Sequence, residues 1–215
     1  MKRISTMLLF GLLLAGTAPA ADETVLIDDF EHGLRPEWEV KEFKGRTHYG
    51  IDHDDDGSHV LKAQSRAAAS GLVFRKKYSL RDYPVLSWRW KVANILAKGD
   101  ETKKAGDDYA ARVYVIFPHW FFPKTRSINY IWANRLARGE RLPNPFTANA
   151  VMVAVESGRE NVGKWVAERR DVYEDYRTIF GEEPPEVGAI AVMTDTDNTG
   201  GSATAWYDDI RIERR

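Results

Sequence analysis

Short runs in which apolar and polar residues alternate fill most of the chain. Period-two alternation puts successive side chains on opposite faces of an extended strand. This pattern predicts strands at 25–30, 43–52, 59–66, 71–78, 85–93, 111–117, 127–133, 148–156, 164–170, 189–193 and 203–212. The runs are rich in Val, Ile, Tyr and Trp, and Gly, Asp, Asn or Pro separates them. In 85–93, Leu86, Trp88, Trp90 and Val92 share the face expected to be core, with Ser87, Arg89 and Lys91 on the other. One stretch switches period. In RRDVYEDYRTIFGEEPP, Asp171 is the expected helix cap with Glu174 as its reciprocal partner, and Tyr173, Tyr176 and Phe180 recur at helical spacing. Gly181 and Pro184-Pro185 stop the helix, which is read as a packed crossover. Many strands and one short helix predict an all-β fold, an antiparallel β-sandwich of jelly-roll type.

The chain start changes the compartment. Lys2 and Arg3 precede an apolar run from Met7 to Leu14, and Ala18-Pro19-Ala20 has the small-x-small form of a cleavage site. Residues 1–20 are therefore expected to be a cleavable signal peptide, and 21–215 a single domain exported to the periplasm. The apolar run is too short to span a bilayer, and no later segment is predicted to be transmembrane. The sequence has 31 Lys and Arg against 32 Asp and Glu. That balance argues against nucleic acid as a partner. There is no cysteine, which excludes thiol catalysis and zinc–thiolate sites and leaves stability to the core or to a bound metal.

Several segments carry candidate chemistry. The stretch 118–146 is long, aromatic and basic, with Lys124, Arg126, Arg135, Arg138 and Arg141 against Glu140, and such excursions are commonly functional. Asp52, Asp54, Asp56 and Gly57 match half of a calcium loop, but Ala63 stands where the bidentate Glu belongs, so a hairpin turn is favoured. His53 and His59 flank that hairpin and are weighed as a transition-metal pair. At the two ends, Asp28, Asp29 and Glu31 face Asp208 and Asp209 if the first and last strands pair. Carboxylates so gathered repel unless a cation intervenes, and a structural Ca²⁺ held by Asp29, Glu31, Asp208 and Asp209 is expected. The loop DTDNTGGS holds Asp195, Asp197, Asn198 and Thr199, more polar side chains than a turn needs. A hydrogen-bonded lock, a site rim and a set of oxygen ligands are the readings open there.

The D-D-F-E start and Y-D-D-I finish resemble the jelly-roll carbohydrate-binding modules, whose terminal strands often enclose a structural calcium. A broader likeness runs through GDDYAARVYVIF, ERRDVYEDYRTIFGEEPP and MTDTDNTGGSATAWYDDI. These resemble a bacterial exported domain family that is known by a number and described as of unknown function. That resemblance implies a sandwich domain of the cell envelope and lends no reaction and no site residues.

On the faces away from the core, Asp108, Arg112 and Tyr114 point one way, as do Ala150, Met152, Ala154 and Glu156. Trp165, Ala167 and Arg169 share another parity. Small side chains with sparse charges make a shallow trough in which a ligand can be oriented. Nucleophile elbows, zinc-protease motifs, P-loops and dinucleotide fingerprints are absent. The expected function is therefore non-catalytic binding of a glycan or other envelope polymer. Asp108, Arg112, Glu156, Arg169, Asp195 and Asp197 are its polar contacts, and Trp120 and Trp132 stack on sugar rings. One rival is a polysaccharide-acting enzyme using Glu156 and Asp195 as its acid–base pair. The other is an envelope assembly protein that docks a partner through the aromatic excursion.

Overall fold

The computed structural model describes residues 23–215, so the predicted signal peptide at 1–20 lies outside the described residues. Thirteen strands form two facing sheets. They are β1 (Thr24–Asp28), β2 (Trp38–Lys44), β3 (His48–His53), β4 (His59–Arg66), β5 (Ala69–Tyr78), β6 (Val85–Val92), β7 (Arg112–Phe117), β8 (Arg126–Ala133), β9 (Arg141–Asn144), β10 (Thr147–Ser157), β11 (Val166–Asp171), β12 (Val187–Met193) and β13 (Ser202–Glu213). The six-stranded sheet runs β11-β6-β13-β4-β3, with β1 also on β13; the seven-stranded sheet runs β2-β5-β12-β7-β8-β10-β9. The one α-helix among the described residues, α1 (Val172–Phe180), carries the chain from β11 in one sheet to β12 in the other.

Alternation decides what fills the space between the sheets. Leu86, Trp88, Trp90 and Val92 are all buried there, as are Val113, Val115 and Phe117 of β7 and Ile128, Tyr130 and Trp132 of β8. Trp88 stacks on Tyr130 with ring centroids 5.3 Å apart, and Trp90 meets Trp132 at 5.9 Å, so aromatic pairs join the two layers. The helix forms between its expected ends, but the Glu174 carboxylate bonds Arg215 at 3.1 Å and does not return to Asp171 N. The Asp171 side chain accepts from Glu174 N at 3.0 Å, and Gly181 closes it in the left-handed region at φ +73°. Its Tyr176 packs on Phe117 at 4.6 Å.

Three local readings change. The expected strand at 43–52 is two strands in different sheets: β2 leaves the larger sheet at Lys44, and β3 enters the smaller at His48. Gly45, at φ +64°, turns the chain between them. The sandwich is antiparallel except at one place, because β8 and β10 pair in parallel. The segment between those two strands holds β9, which pairs with β10 alone and carries Pro143, a residue an edge strand tolerates. A small second core of Tyr109, Ile131, Ala133, Met152 and Ala154, with Leu136 and Leu142 against it, lies on the far side of the larger sheet. The basic excursion therefore covers one end of that sheet's outer face.

Candidate functional site

The register of the larger sheet builds a groove along β12. Side by side on the outer face stand Glu39, Val73, Ala191, Tyr114 and Asn129, one from each of five adjacent strands. The next row holds Lys41, Gly71, Met193, Arg112 and Ile131. The row beyond Tyr114 holds Arg75, Ala189, Ile116 and Ser127. Gly71, Ala189 and Ala191 are short, while Tyr114, Lys41 and Arg75 stand taller beside them. Short side chains on β5 and β12 therefore lie between taller ones on β2, β5 and β7.

Phe43, on the outer parity of β2, is 62 % exposed and borders this groove. A Cβ at Gly71 would lie 3.9 Å from the Phe43 ring. The Lys41 ammonium sits 5.5 Å from the Phe43 ring centroid and 5.4 Å from that of Phe122. Phe122 belongs to the loop after β7, so this contact passes above β5 and β12. Lys41 lies in the row of Arg112, whereas β7 ends at Phe117; the loop therefore turns back over the face. The outer face of the smaller sheet differs. There Lys62, Lys91 and Arg89 interleave with Trp206 and Trp165 at 4.6–5.5 Å, and Asp52, Asp54 and Asp208 neutralise them. That surface is filled by its own charges.

One end of the groove is closed by a buried polar network. Arg112 Nε donates to Asp195 Oδ1 at 2.9 Å, its Nη2 bonds Asp195 Oδ2, and Nη2 also donates to the Asp107 carbonyl at 2.9 Å. Its guanidinium lies 4.2 Å from the Tyr109 ring centroid. Burial works against the Arg112 charge, but Asp195, with Tyr114, Asp107 and Tyr109, outweighs it and holds the group well above its ordinary range. Burial, helped by the Asp108 and Asp107 charges, drives the Asp195 carboxyl upward, and two-point bonding from that guanidinium opposes it. Asp108 is fully buried and accepts from Asn198 N (3.2 Å), Asn198 Nδ2 (3.1 Å) and Thr199 N (2.6 Å). Asp197 faces Lys44 at 3.6 Å.

The structure thus brings together Asp108, Arg112, Asp195 and Asp197. Oxygens of the three aspartates lie within 4.8 Å of one another, the one such trio among the described residues. Its donor set does not suit a cation. Asp195 is held by a guanidinium, Asp197 faces an ammonium, and both Asp108 oxygens take N–H donors. Of the readings open for the DTDNT loop, the lock fits: it ties β12 to the segment before β7.

Other expected site residues lie elsewhere. Trp132 is a core residue with no exposed surface, so it cannot stack on a ligand. Glu156 is buried and accepts from Asn161 Nδ2 at 3.0 Å; Arg169 is on the smaller sheet and pairs with Glu213 at 3.0 Å. Glu156 and Asp195 belong to two networks with no common partner. Trp120 is 91 % exposed on the loop after β7. Asp29, Glu31, Asp208 and Asp209 are not gathered into one set. Asp208 bonds Arg89, and Asp209 pairs with Arg89 (3.5 Å) and Arg211 (2.6 Å). Glu31 meets His59 at 3.4 Å, and Asp29 accepts from Glu31 N at an exposed turn. Asp28 is taken by Arg35 and the Trp38 indole. β1 and β13 do pair, but arginines supply the opposing charge at that end. His53 and His59 meet with ring centroids 4.7 Å apart, edge to face. Lys41, Phe43 and Phe122 were not legible as site residues, because only the sheet order brings them to one groove.

This fold is shared with β-sandwich carbohydrate-binding modules. A family 11 module of the cellulosomal cellulase Lic26A-Cel5E of Clostridium thermocellum aligns over 91 % of this chain and 97 % of its own, at 13 % identity and TM-score 0.51. A family 30 module of cellulase Cel9D-Cel44B of the same organism aligns over 89 % and 98 %, at 12 % identity and TM-score 0.51. The chain itself belongs to the family described as "Protein of unknown function (DUF3047)", whose model matches residues 36–211. No curated protein matches it in sequence.

Proposed function

We propose that this domain binds a glycan, or another polymer of the cell envelope, in the groove along β12, and does not transform it. The observation that carries the reading is the groove itself. A floor of Gly71, Ala189 and Ala191 is flanked by the rings of Tyr114, Phe43 and Phe122 and by the free ammonium of Lys41. Aromatic faces suit the C–H surface of a sugar ring, and sparse polar groups fix its direction. The sandwich neighbours with a TM-score of 0.51 are named as carbohydrate-binding modules, which agrees with this reading. The proposed setting is the periplasm, reached by cleavage of the predicted signal peptide.

The test is retention of the purified domain on an envelope-glycan array, comparing the native chain with Phe43→Ala and Tyr114→Ala. Phe43 is exposed, so its loss leaves the melting temperature in place while retention falls by about tenfold or more. Retention that is unchanged in both variants rejects the groove as the binding site.

A further inference from the structure

The loop at 118–125 carries a feature that a sugar site does not need. Trp120, Phe121 and Phe122 are consecutive, and all three are exposed, Trp120 at 91 % and Phe122 at 71 %. Contiguous exposed aromatics on a folded domain mark a surface that meets something apolar. The rings do not form a platform. Trp120 and Phe121 are tilted by 46° at 5.9 Å, and His119 and Trp120 by 34° at 5.6 Å. A pyranose stacks on a flat face; splayed rings fit a medium without shape.

Much of the loop's backbone is paired internally, which lowers the cost of bringing it against an apolar medium. His119 N donates to Thr125 Oγ1 at 3.2 Å and Phe121 N to His119 Nδ1 at 3.0 Å. Lys124 N donates to the Phe121 carbonyl (2.9 Å) and Thr125 N to that of Phe122 (2.8 Å). Pro123 has no N–H, and its carbonyl accepts from Asn149 Nδ2 at 2.7 Å.

Charge identifies the medium. Lys124 is in the loop, Lys41 lies over Phe122, and exposed Lys77 is on the strand beside β12 at the end where Pro118 abuts Gly188. None of the three has a carboxylate partner among the described residues. Glu182 and Glu183 line the same cavity as Lys124 but are paired with Arg126, Arg81 and Arg177, which leaves the three lysines against exposed Glu186 around the loop. Aromatic rings at headgroup depth with lysines around them are the arrangement that holds a protein on an anionic bilayer surface.

We propose that the 118–125 loop docks the domain on a lipid bilayer, with Trp120 and Phe121 entering the interface and Lys77 and Lys124 facing anionic headgroups. The loop lies on the surface rather than spanning, and no helix among the described residues is long and apolar enough to cross. Phe122 and Lys41 border both surfaces, whereas Trp120, Phe121 and Lys124, which the test alters, lie outside the groove.

The test is sedimentation of residues 21–215 with vesicles of phosphatidylethanolamine and phosphatidylglycerol, and with phosphatidylcholine alone. The native chain co-sediments with the anionic vesicles and is released by salt. Trp120→Ala with Phe121→Ser lowers the apparent affinity by about tenfold or more. Lys124→Gln lowers it by about fivefold. Because these side chains are exposed, melting is unchanged, and glycan retention, read in parallel, stays at the native level. Trp120 fluorescence shifts to the blue on binding. Absence of vesicle binding, equal binding by the aromatic double variant, or loss of glycan retention without any vesicle effect overturns the proposal, the last by assigning the loop to sugar.

Discussion

Asp195→Asn isolates what the polar lock contributes. The substitution keeps the shape and removes the charge opposite Arg112, whose residue is only 4 % exposed. The buried guanidinium then keeps one neutral amide oxygen in place of the carboxylate, the Asp107 carbonyl at 2.9 Å and the Asp107 carboxylate at 4.0 Å. Removing one partner of a buried pair costs about 3–5 kcal/mol. For a domain of this size each kcal/mol lowers the melting temperature by about 2–4 °C, so a fall of about 6–20 °C is expected. Arg112→Met with Asp195→Leu removes both charges together. What remains is an unpaired Tyr109 N, for about 1–3 kcal/mol, while the Asp107 carbonyl keeps Asn198 Nδ2 at 3.4 Å and the Asp107 carboxylate keeps Asn144 Nδ2 at 2.7 Å. The double variant is therefore more stable than Asp195→Asn. Urea titrations of the three chains, fitted with a common slope, measure this. A double variant less stable than the single one would show that the pair contributes net stability, and the reasoning fails.

Two further expectations follow from the core and the open edge. Trp132→Ala opens a cavity beside Trp90 and costs about 3–5 kcal/mol, read by denaturant titration, and any loss of ligand retention follows the folded fraction. Burial, with Glu156 nearby, pushes the Glu168 carboxyl up to about 7 from 4.5, against the pull of Arg138. The folded state then holds a proton that the unfolded chain has released, so stability falls as pH rises from about 4.5 to about 7 and levels off above. Glu168 contributes up to about 3 kcal/mol of this loss, and Glu168→Gln reduces the slope to what the raised Asp195 and Asp208 carboxyls supply; a variant with the native slope contradicts it.

The alternating runs were enough to assign the two-sheet architecture. Leu86, Trp88, Trp90 and Val92 went to the core because a strand has only two faces, and Asp171 and Gly181 bounded the helix because its ends need partners. Pairing is less legible. Nothing in the order of residues announces that β8 and β10 run parallel, or that 43–52 divides between sheets at Gly45. The site suffered for the same reason. Parity placed Arg112 and Tyr114 outside the core correctly, yet Lys41, Phe43 and Phe122 meet only because β5 and β12 separate β2 from β7. Trp132 was misread because an aromatic residue in a basic excursion looks available, whereas its strand parity, shared with Ile128 and Tyr130, turns it inward.

The Lys41–Phe122 contact gives the groove a clasp. A shelf open along its length accepts any stretch of a polymer from above, but a channel bridged at one point admits a chain by its free end or after the bridge lifts. Loading would then be slow and escape slower, and a long strand held this way could slide lengthwise without being released. Under the proposed glycan reading, linear chains with few branches would be retained, while heavily branched ones of the same sugars would be turned away.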